Sequence, residues 1–170
     1  MAKISKEIIM NETTKIRDIA LKYCNGNGID LGCGDEKICE EAIGIDSGLD
    51  FLYGPNKDNR NLSCVNIRKE IYDLKMFDDK SLDYVYTSHF LEHLPDPITM
   101  INDIERVLRP GGYFIVYLPD RLLYTEKNLE HHYMWTAREF SNIIPGNFEI
   151  VEMIEKYYDY SFFIVARKII

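Results

Sequence analysis

Three short acids and a pair of glycines are the residues of this chain best placed to do chemistry. The stretch "GIDLGCGDEK", residues 28–37, runs from an apolar, strand-like segment through Asp30 into Gly32-Cys33-Gly34. Glycines at a strand end let bare backbone approach a ligand and take conformations that a Cβ forbids. Asp46 closes the next β-prone run, "AIGID", where a carboxylate can accept two hydrogen bonds from a ribose's hydroxyls. Asp73-Leu74 follows the third such run, so that the acid could accept from an adenine amino group while Leu74 lies against the ring. Singly, each Asp reads as a solvated loop residue or a cap, and the Gly-x-Gly as a tight turn. In register along one sheet edge they point to a nucleoside. A dinucleotide would need a third glycine, G-x-G-x-x-G. Here Asp35-Glu36-Lys37 follows Gly34, and two carboxylates crowd the place of the phosphates. The ligand indicated has adenine and ribose, no phosphate, and a positive centre with an amino group.

These residues need strands and helices to hold them. Residues 4–24 read as a helix, with Ile16, Ile19, Ala20 and Tyr23 along one face. The Asn and Gly of "NGNG" then stop it. "GIDLG", "AIGID" and part of "SCVNIRKEIYD" are the first three strands; "SLDYVYTS" and "YFIVYLP", rich in Tyr, Val and Ile, are the fourth and fifth. Between the last two lies a helix with Asp96 as N-cap, Pro97 at its first position and Ile101, Ile104 and Leu108 as its buried stripe. Pro110-Gly111-Gly112 ends it. A short helix at "TAREFSNII" and a hairpin of "FEIVEMIEKYY" and "YSFFIVARKI" about Asp159 complete the chain. Strands separated by helices or long connections give an α/β fold with a mostly parallel sheet, to which the hairpin adds an antiparallel edge strand.

With these residues in view, "GIDLGCGDEK" resembles motif I of class I S-adenosylmethionine-dependent methyltransferases. "AIGID" is similar to their second-strand acidic motif. "YDLKMFDDKSLDYVYTSHFLEHLPDP" resembles the run from adenine contact to fourth strand and "LEH" continuation, and "ERVLRPGGYFIVYLP" the approach to the fifth strand. "HHYMWTAREF" is similar to the segment before the last helix of the type 11 group, whose acceptors are small molecules or glycans. The resemblance covers roughly residues 26–145. It implies a Rossmann-like three-layer sandwich with a seven-stranded sheet and an antiparallel last strand. It implies one methyltransferase domain over 1–170: an N-terminal helical segment (1–25), a cofactor-binding core (26–120) and an acceptor-side segment with the terminal hairpin (121–170). Asp30 and the backbone of Gly32, Cys33 and Gly34 would hold the amino acid end of S-adenosyl-L-methionine, Asp46 the ribose, and Asp73 with Leu74 the adenine. Ser88 and His89 would sit under the methionine moiety; Leu31 and Ser47 complete the cofactor-binding set. One departure is the span of sixteen positions from Asp30 to Asp46, against roughly twenty in the dinucleotide folds. The first crossover helix is then one or two turns at most ("EKICEE"), and "SGLDFLYGPNKDNRNLS" reads as a loop. A trimmed pocket of this kind leaves room for completion by a partner subunit or a second copy.

Methyl transfer is an in-line displacement from an already activated donor, so the protein chiefly aligns the acceptor and excludes water. A general base is needed only where the acceptor must lose a proton. His93, in "LEHL", reads as packing or capping ahead of chemistry, and His89 as a cofactor-loop residue rather than a base. His131 and His132 fall in the variable acceptor-side stretch and are candidates for touching substrate. Adjacent His side chains diverge and no third ligand is evident, so no metal is expected. Tyr124, Tyr133 and Trp135 could line an acceptor pocket or cover the core. Glu92 is expected to be exposed.

Bulk properties bound the rest. A chain of 170 residues with 46% hydrophobic and 28% charged content fits one soluble domain. A net charge of −8 and no basic run argue against nucleic acid and anionic membrane as partners. No Asn-Pro-Pro-Tyr or Asp-Pro-Pro-Tyr follows the fourth strand, which argues against a DNA amino-methyltransferase. Apolar runs are too short for a membrane span, and "IIM" after Lys3 and Lys6 is too short for a signal peptide. Cys24, Cys33, Cys39 and Cys64 form no Cys-x-x-Cys pair and fit reduced thiols in the cytoplasm. The leading expectation is a methyltransferase with a small-molecule or glycan-type acceptor. A binding module working with a partner subunit is the second reading, and an NAD-dependent oxidoreductase, lacking its third glycine, the third.

Overall fold

The computed structural model describes residues 11–48, 62–125 and 128–170. Seven strands form one sheet: β1 (Gly28–Leu31), β2 (Ile43–Asp46), β3 (Ile67–Arg68), β4 (Leu82–Ser88), β5 (Leu108–Pro119), β6 (Phe148–Tyr157) and β7 (Ser161–Lys168). Their order is β3-β2-β1-β4-β5-β7-β6. The pairs among β1 to β5 are parallel, and β7 is antiparallel to both β5 and β6. The hairpin extends one edge of the sheet as expected, with its second strand, β7, beside β5 and its first, β6, outermost. The burial pattern explains this, since β7 is buried almost throughout while β6 is mostly exposed.

Side chains alternate across the sheet. Val85, Phe114, Val116, Leu118, Phe162 and Ile164 face one core, and Tyr84, Tyr86, Ile115, Tyr117, Phe163 and Val165 the other. The first core is covered by α2 (Pro97–Val107) and α3 (Ala137–Ser141), the second by α1 (Glu12–Ala20). Asn11 caps α1, accepting from the Thr14 amide at 2.7 Å, and a 3-10 turn, Leu21–Tyr23, extends it. The described part of the expected helix begins at Glu12, after its cap Asn11; residues 4–10 lie outside the described residues.

Residues 32–42 contain turns and bends but no helix, so even the one or two expected turns are absent. The N-terminal helix takes over their role. Arg17 donates to the carbonyls of Lys37 (2.9 Å) and Ile38 (3.2 Å) and pairs with Glu36 at 2.5 Å. Ile38 and Ala42 bury against Ile16 and Ala20. Inside this loop the buried Asp30 carboxylate accepts the Ile38 amide at 2.6 Å. Most of the next connection, residues 49–61, lies outside the described residues, and the expected loop there with it.

Asp96 caps α2, accepting from the Thr99 amide at 3.1 Å, with Pro97 at the first turn. The helix ends at Val107, so Leu108 leaves the expected stripe to open β5 in an extended conformation, and Pro110-Gly111-Gly112, expected to end the helix, lies within that strand. The buried Lys168 ammonium donates to the Glu105 (2.6 Å) and Leu108 (2.9 Å) carbonyls and so occupies the acceptors at the helix end. Arg106 fastens the segment before β4: it donates to the carbonyls of Leu74 and Phe77, each at 3.0 Å, and to Asp79 and Asp103. Among the described residues, no helix is long and apolar enough to cross a membrane.

Arg106→Ala removes the donors to two backbone carbonyls at once and is expected to cost about 2 kcal/mol, read as a lower urea midpoint with an unchanged slope. Burial pushes the Asp30 carboxyl up to about 7, against the pull of the Ile38 amide, Lys37 and Arg17. A carboxyl raised on folding contributes stability below its unfolded value of 3.8 that is lost as pH rises through about 7. Asp30→Asn keeps an oxygen for the Ile38 amide and removes that loss. Urea titrations should show its stability gaining on the wild type between about pH 4 and about pH 7.

Candidate functional site

The strand order reverses between β1 and β4, and open α/β sheets bind ligands beyond the strand ends at such a point. A cavity of about 670 Å³ lies there. One end is walled by Gly32, Asp46 and Ser47 from the β1 and β2 ends, with Glu70, Ile71 and Tyr72 after β3. The other is walled by His89, His93, Tyr124, Asn128, His131 and Tyr160.

The loop after β1 is positioned by backbone. Gly32 and Gly34 both take left-handed φ, +72° and +58°. A Cβ on Gly32 would lie 2.7 Å from the Phe90 side chain, so this position admits only glycine without rearrangement. The Gly32 amide donates to the Ile45 carbonyl at 2.8 Å and the Gly34 amide to Asp46 Oδ2 at 2.9 Å. The other Asp46 oxygen accepts from the Gly48 amide at 2.7 Å.

Of the residues expected to bind a cofactor, Gly32, Asp46, Ser47 and His89 line the cavity. Cys33 and Gly34 stand beside it in the same loop. Asp30 and Leu31 are buried beneath it: Asp30 holds the Ile38 amide, and the Leu31 carbonyl accepts from Thr87 at 3.3 Å. Ser88 is buried at the end of β4, outside the lining.

Asp73 and Leu74 lie outside the lining of the main cavity. Leu74 is fully buried in the core, its amide donating to Asp103 at 2.8 Å and its carbonyl held by Arg106. Asp73 binds Lys75 at 2.6 Å, which holds its carboxyl below the usual range, and faces a smaller cavity of about 260 Å³ with Pro95 and Thr99. Ile71 and Tyr72 take their place on the main cavity wall. The cause is the early end of β3, after which the chain turns and carries its next leucine beneath α2.

On the acceptor side, His89 has left-handed φ (+47°) and its Nε2 meets Ser161 Oγ at 3.0 Å. Burial, with the nearby Lys15 charge, drops its pKa to about 3, so the ring is neutral at pH 7. Tyr124 lines the cavity, but Tyr133 and Trp135 do not pair across it. They stack on each other at 5.6 Å, and Trp135 packs edge-on to the core residue Phe140. Glu92 is 1% exposed rather than solvated, because its 3-10 turn (Leu91–His93) tucks beneath the segment at 131–133, whose His132 amide donates to the Glu92 carbonyl at 2.8 Å. Burial pushes its carboxyl up to about 8. Spacing offered no third partner beside His131; the fold brings both His93 and Glu92 to it, with one ligand-capable atom of each within 4.8 Å of the others. His132 lines the cavity but stays outside this group.

Residues 29–116 match the type 11 family described as a methyltransferase domain. A demethylmenaquinone methyltransferase of Staphylococcus carnosus is 33% identical over 73 residues, which is 42% of this chain and 30% of that protein. A ubiquinone biosynthesis O-methyltransferase of Coxiella burnetii is 28% identical over 92 residues, 49% of this chain and 39% of that protein. The chain thus spans well under half the length of both relatives. Among solved structures, a chain of the complex between the Haloferax volcanii Trm112 methyltransferase activator and a protein assigned as a methyltransferase superposes with a TM-score of 0.65 at 16% identity, covering 92% of this chain and 89% of that one. Because the family match takes in just over half the chain and the sheet has the seven strands and antiparallel last strand that the resemblance implies, the protein belongs to the type 11 group of class I S-adenosylmethionine-dependent methyltransferases, with S-adenosylmethionine as its cofactor.

Proposed function

We propose that this chain transfers a methyl group to a small-molecule or glycan-type acceptor bound in the same cavity as the cofactor. One observation carries the reading: a single cavity of about 670 Å³ runs from the glycine loop and Asp46 to the histidines of the opposite wall. That volume lies within the range of pockets that enclose small ligands. When bound, S-adenosylmethionine supplies a methyl group already activated on a sulfonium.

The chain's own residues bind, orient and dry the site. The bare backbone of Gly32 to Gly34 fits an amino acid end that must lie close to the chain. Asp46 is pinned by amides from two loops, so its carboxylate is held in one orientation for a ribose, with Ser47 beside it. Tyr72 and Ile71 present apolar surface where an adenine would lie. Neutral His89 brings no positive charge to a cavity that must accept a cationic cofactor. Tyr124 and Tyr160, ring to ring at 5.0 Å, narrow the acceptor half and limit water. The relatives named for quinone methylation favour a small acceptor, and the reduced thiols favour the cytoplasm.

A second reading, a weakly active module completed by a partner subunit or another copy of itself, is favoured by the helix-free segment 32–42 and by the activator complex among similar folds. Calorimetric titration separates the two. S-adenosylmethionine should bind the ligand-stripped chain with micromolar affinity while NAD does not bind. Asp46→Ala should weaken binding at least roughly tenfold, the worth of a charged hydrogen bond. Gly32→Ala, forced against Phe90 at positive φ, should weaken it comparably. Absence of binding by either ligand would overturn the self-sufficient enzyme in favour of the partner reading; binding of NAD alone would overturn both.

A further inference from the structure

Three carboxylates are buried among the described residues: Asp30, Glu92 and Asp120. Asp30 accepts the Ile38 amide and Asp120 the Leu122 amide, whereas neither oxygen of Glu92 has a hydrogen-bond partner. A buried carboxyl group left without a hydrogen-bond partner is costly whether or not it is ionised, and a cation or several donors can offset that cost. The nearest imidazole nitrogens, His89 Nδ1 at 3.7 Å and His93 Nε2 at 3.8 Å, are beyond hydrogen-bond range. Something that Glu92 can bind belongs between it and its neighbours.

The histidines are oriented for that role. His93 Nδ1 lies 3.2 Å from the Glu130 carbonyl. A carbonyl can only accept, so this nitrogen carries the proton and Nε2 presents its lone pair on the side of Glu92. An imidazole tied through its second nitrogen to a backbone carbonyl is the usual support of a metal ligand. His131 packs edge-on against His93, centroids 4.8 Å apart, with its own Nδ1 engaged 3.1 Å from Met134 Sδ. We propose that Glu92, His93 and His131 form a divalent-cation site of the zinc class, at the edge of the acceptor half of the cavity. Two imidazoles and one carboxylate are a donor set for such an ion, and three protein ligands leave a coordination position for a substrate oxygen. Bonds of about 2.0–2.2 Å place tetrahedral ligand atoms about 3.4 Å apart, so a group spread over up to 4.8 Å closes by up to about 1.4 Å. His131 is the member to move, since it stands in a loop rather than a strand or helix.

Resting on the methyl-transfer reading above, the site narrows the acceptor to one with a hydroxyl oxygen. A cation there would bind that oxygen and lower its pKa, so that the hydroxyl proton leaves to solvent, the oxygen forms the O–CH3 bond and the sulfonium S–CH3 bond breaks to leave a neutral thioether. This supplies, from ligand residues, the activation for which no general base is otherwise assigned.

The test uses the full chain, stripped with a chelator and titrated calorimetrically with Zn²⁺, and in parallel with Co²⁺ followed by visible absorption. One ion per chain should bind with a Kd in the micromolar range or tighter, and Co²⁺ should develop ligand-field bands. His131→Ala should weaken binding at least roughly tenfold, and Glu92→Gln, checked for folding by circular dichroism, should do the same. His132→Ala should retain binding. No binding at about 100 μM Zn²⁺, or equal binding by the His131→Ala chain, overturns the site. Binding of Mn²⁺ in preference to Zn²⁺ overturns the zinc-class assignment. Titrating the same metal-free protein with S-adenosylmethionine keeps failure of this site distinct from failure of the cofactor reading.

Discussion

The site depends on one close approach of backbone to side chain. Gly32 sits between the β2 end and Phe90 with φ +72°, and no side chain fits there. From that position the next residues fall into place: Gly32 reaches the Ile45 carbonyl, and Gly34 reaches Asp46. Asp46 in turn ties the loop after β1 to the turn after β2 through its two oxygens. A glycine turn, a carboxylate and a strand end thus form one unit. Shifting any of them moves the surface on which a nucleoside must lie, because the parts share hydrogen bonds rather than merely adjoining.

The absent crossover helix is met by exchange rather than by loss. In a parallel sheet both faces must be covered, and residues 32–42 are too few to build a helix of useful length between β1 and β2. The helix α1 lies over that face, and Arg17 spans the gap with donors to two loop carbonyls and an ion pair to Glu36. Thr14 adds a hydrogen bond to the same glutamate at 2.9 Å. The segment beneath the glycine loop is therefore held partly from the N-terminal side, which couples the stability of α1 to the shape of the cofactor half of the cavity.

The acceptor half is assembled from chain segments far apart in sequence. The turn after β4 brings His89, Glu92 and His93, while the segment after β5 brings Tyr124 and His131, and the β6–β7 connection brings Tyr160. Tyr124 lies tilted against His131 at 5.2 Å and meets Tyr160 edge-on, so one aromatic side chain links the last two. Burial sets the charge of the group: it keeps His89 neutral and drops the His131 pKa to about 4, with His93 contributing.

Local sequence determined the α/β class, the approximate positions of the seven strands (with β5 beginning at Leu108 rather than Tyr113), the capped start of α2 and the identity of the glycine loop and Asp46. Each is a short-range property: periodic burial, a turn that only glycine allows, or a cap three residues from its amide. Pairing order was not legible in the same way. That β7 lies inside the sheet with β6 at its edge follows from which strand buries both faces, a comparison that only the packed molecule makes. The fates of Leu74, Asp73 and Glu92 were likewise decided by tertiary structure. Arg106 and Asp103 draw Leu74 into the core, and the 131–133 segment closes over Glu92, both through partners about 30 to 40 residues away in the chain. A side chain's type states what it can bind, but whether it meets ligand, solvent or core depends on distant residues that spacing alone does not name.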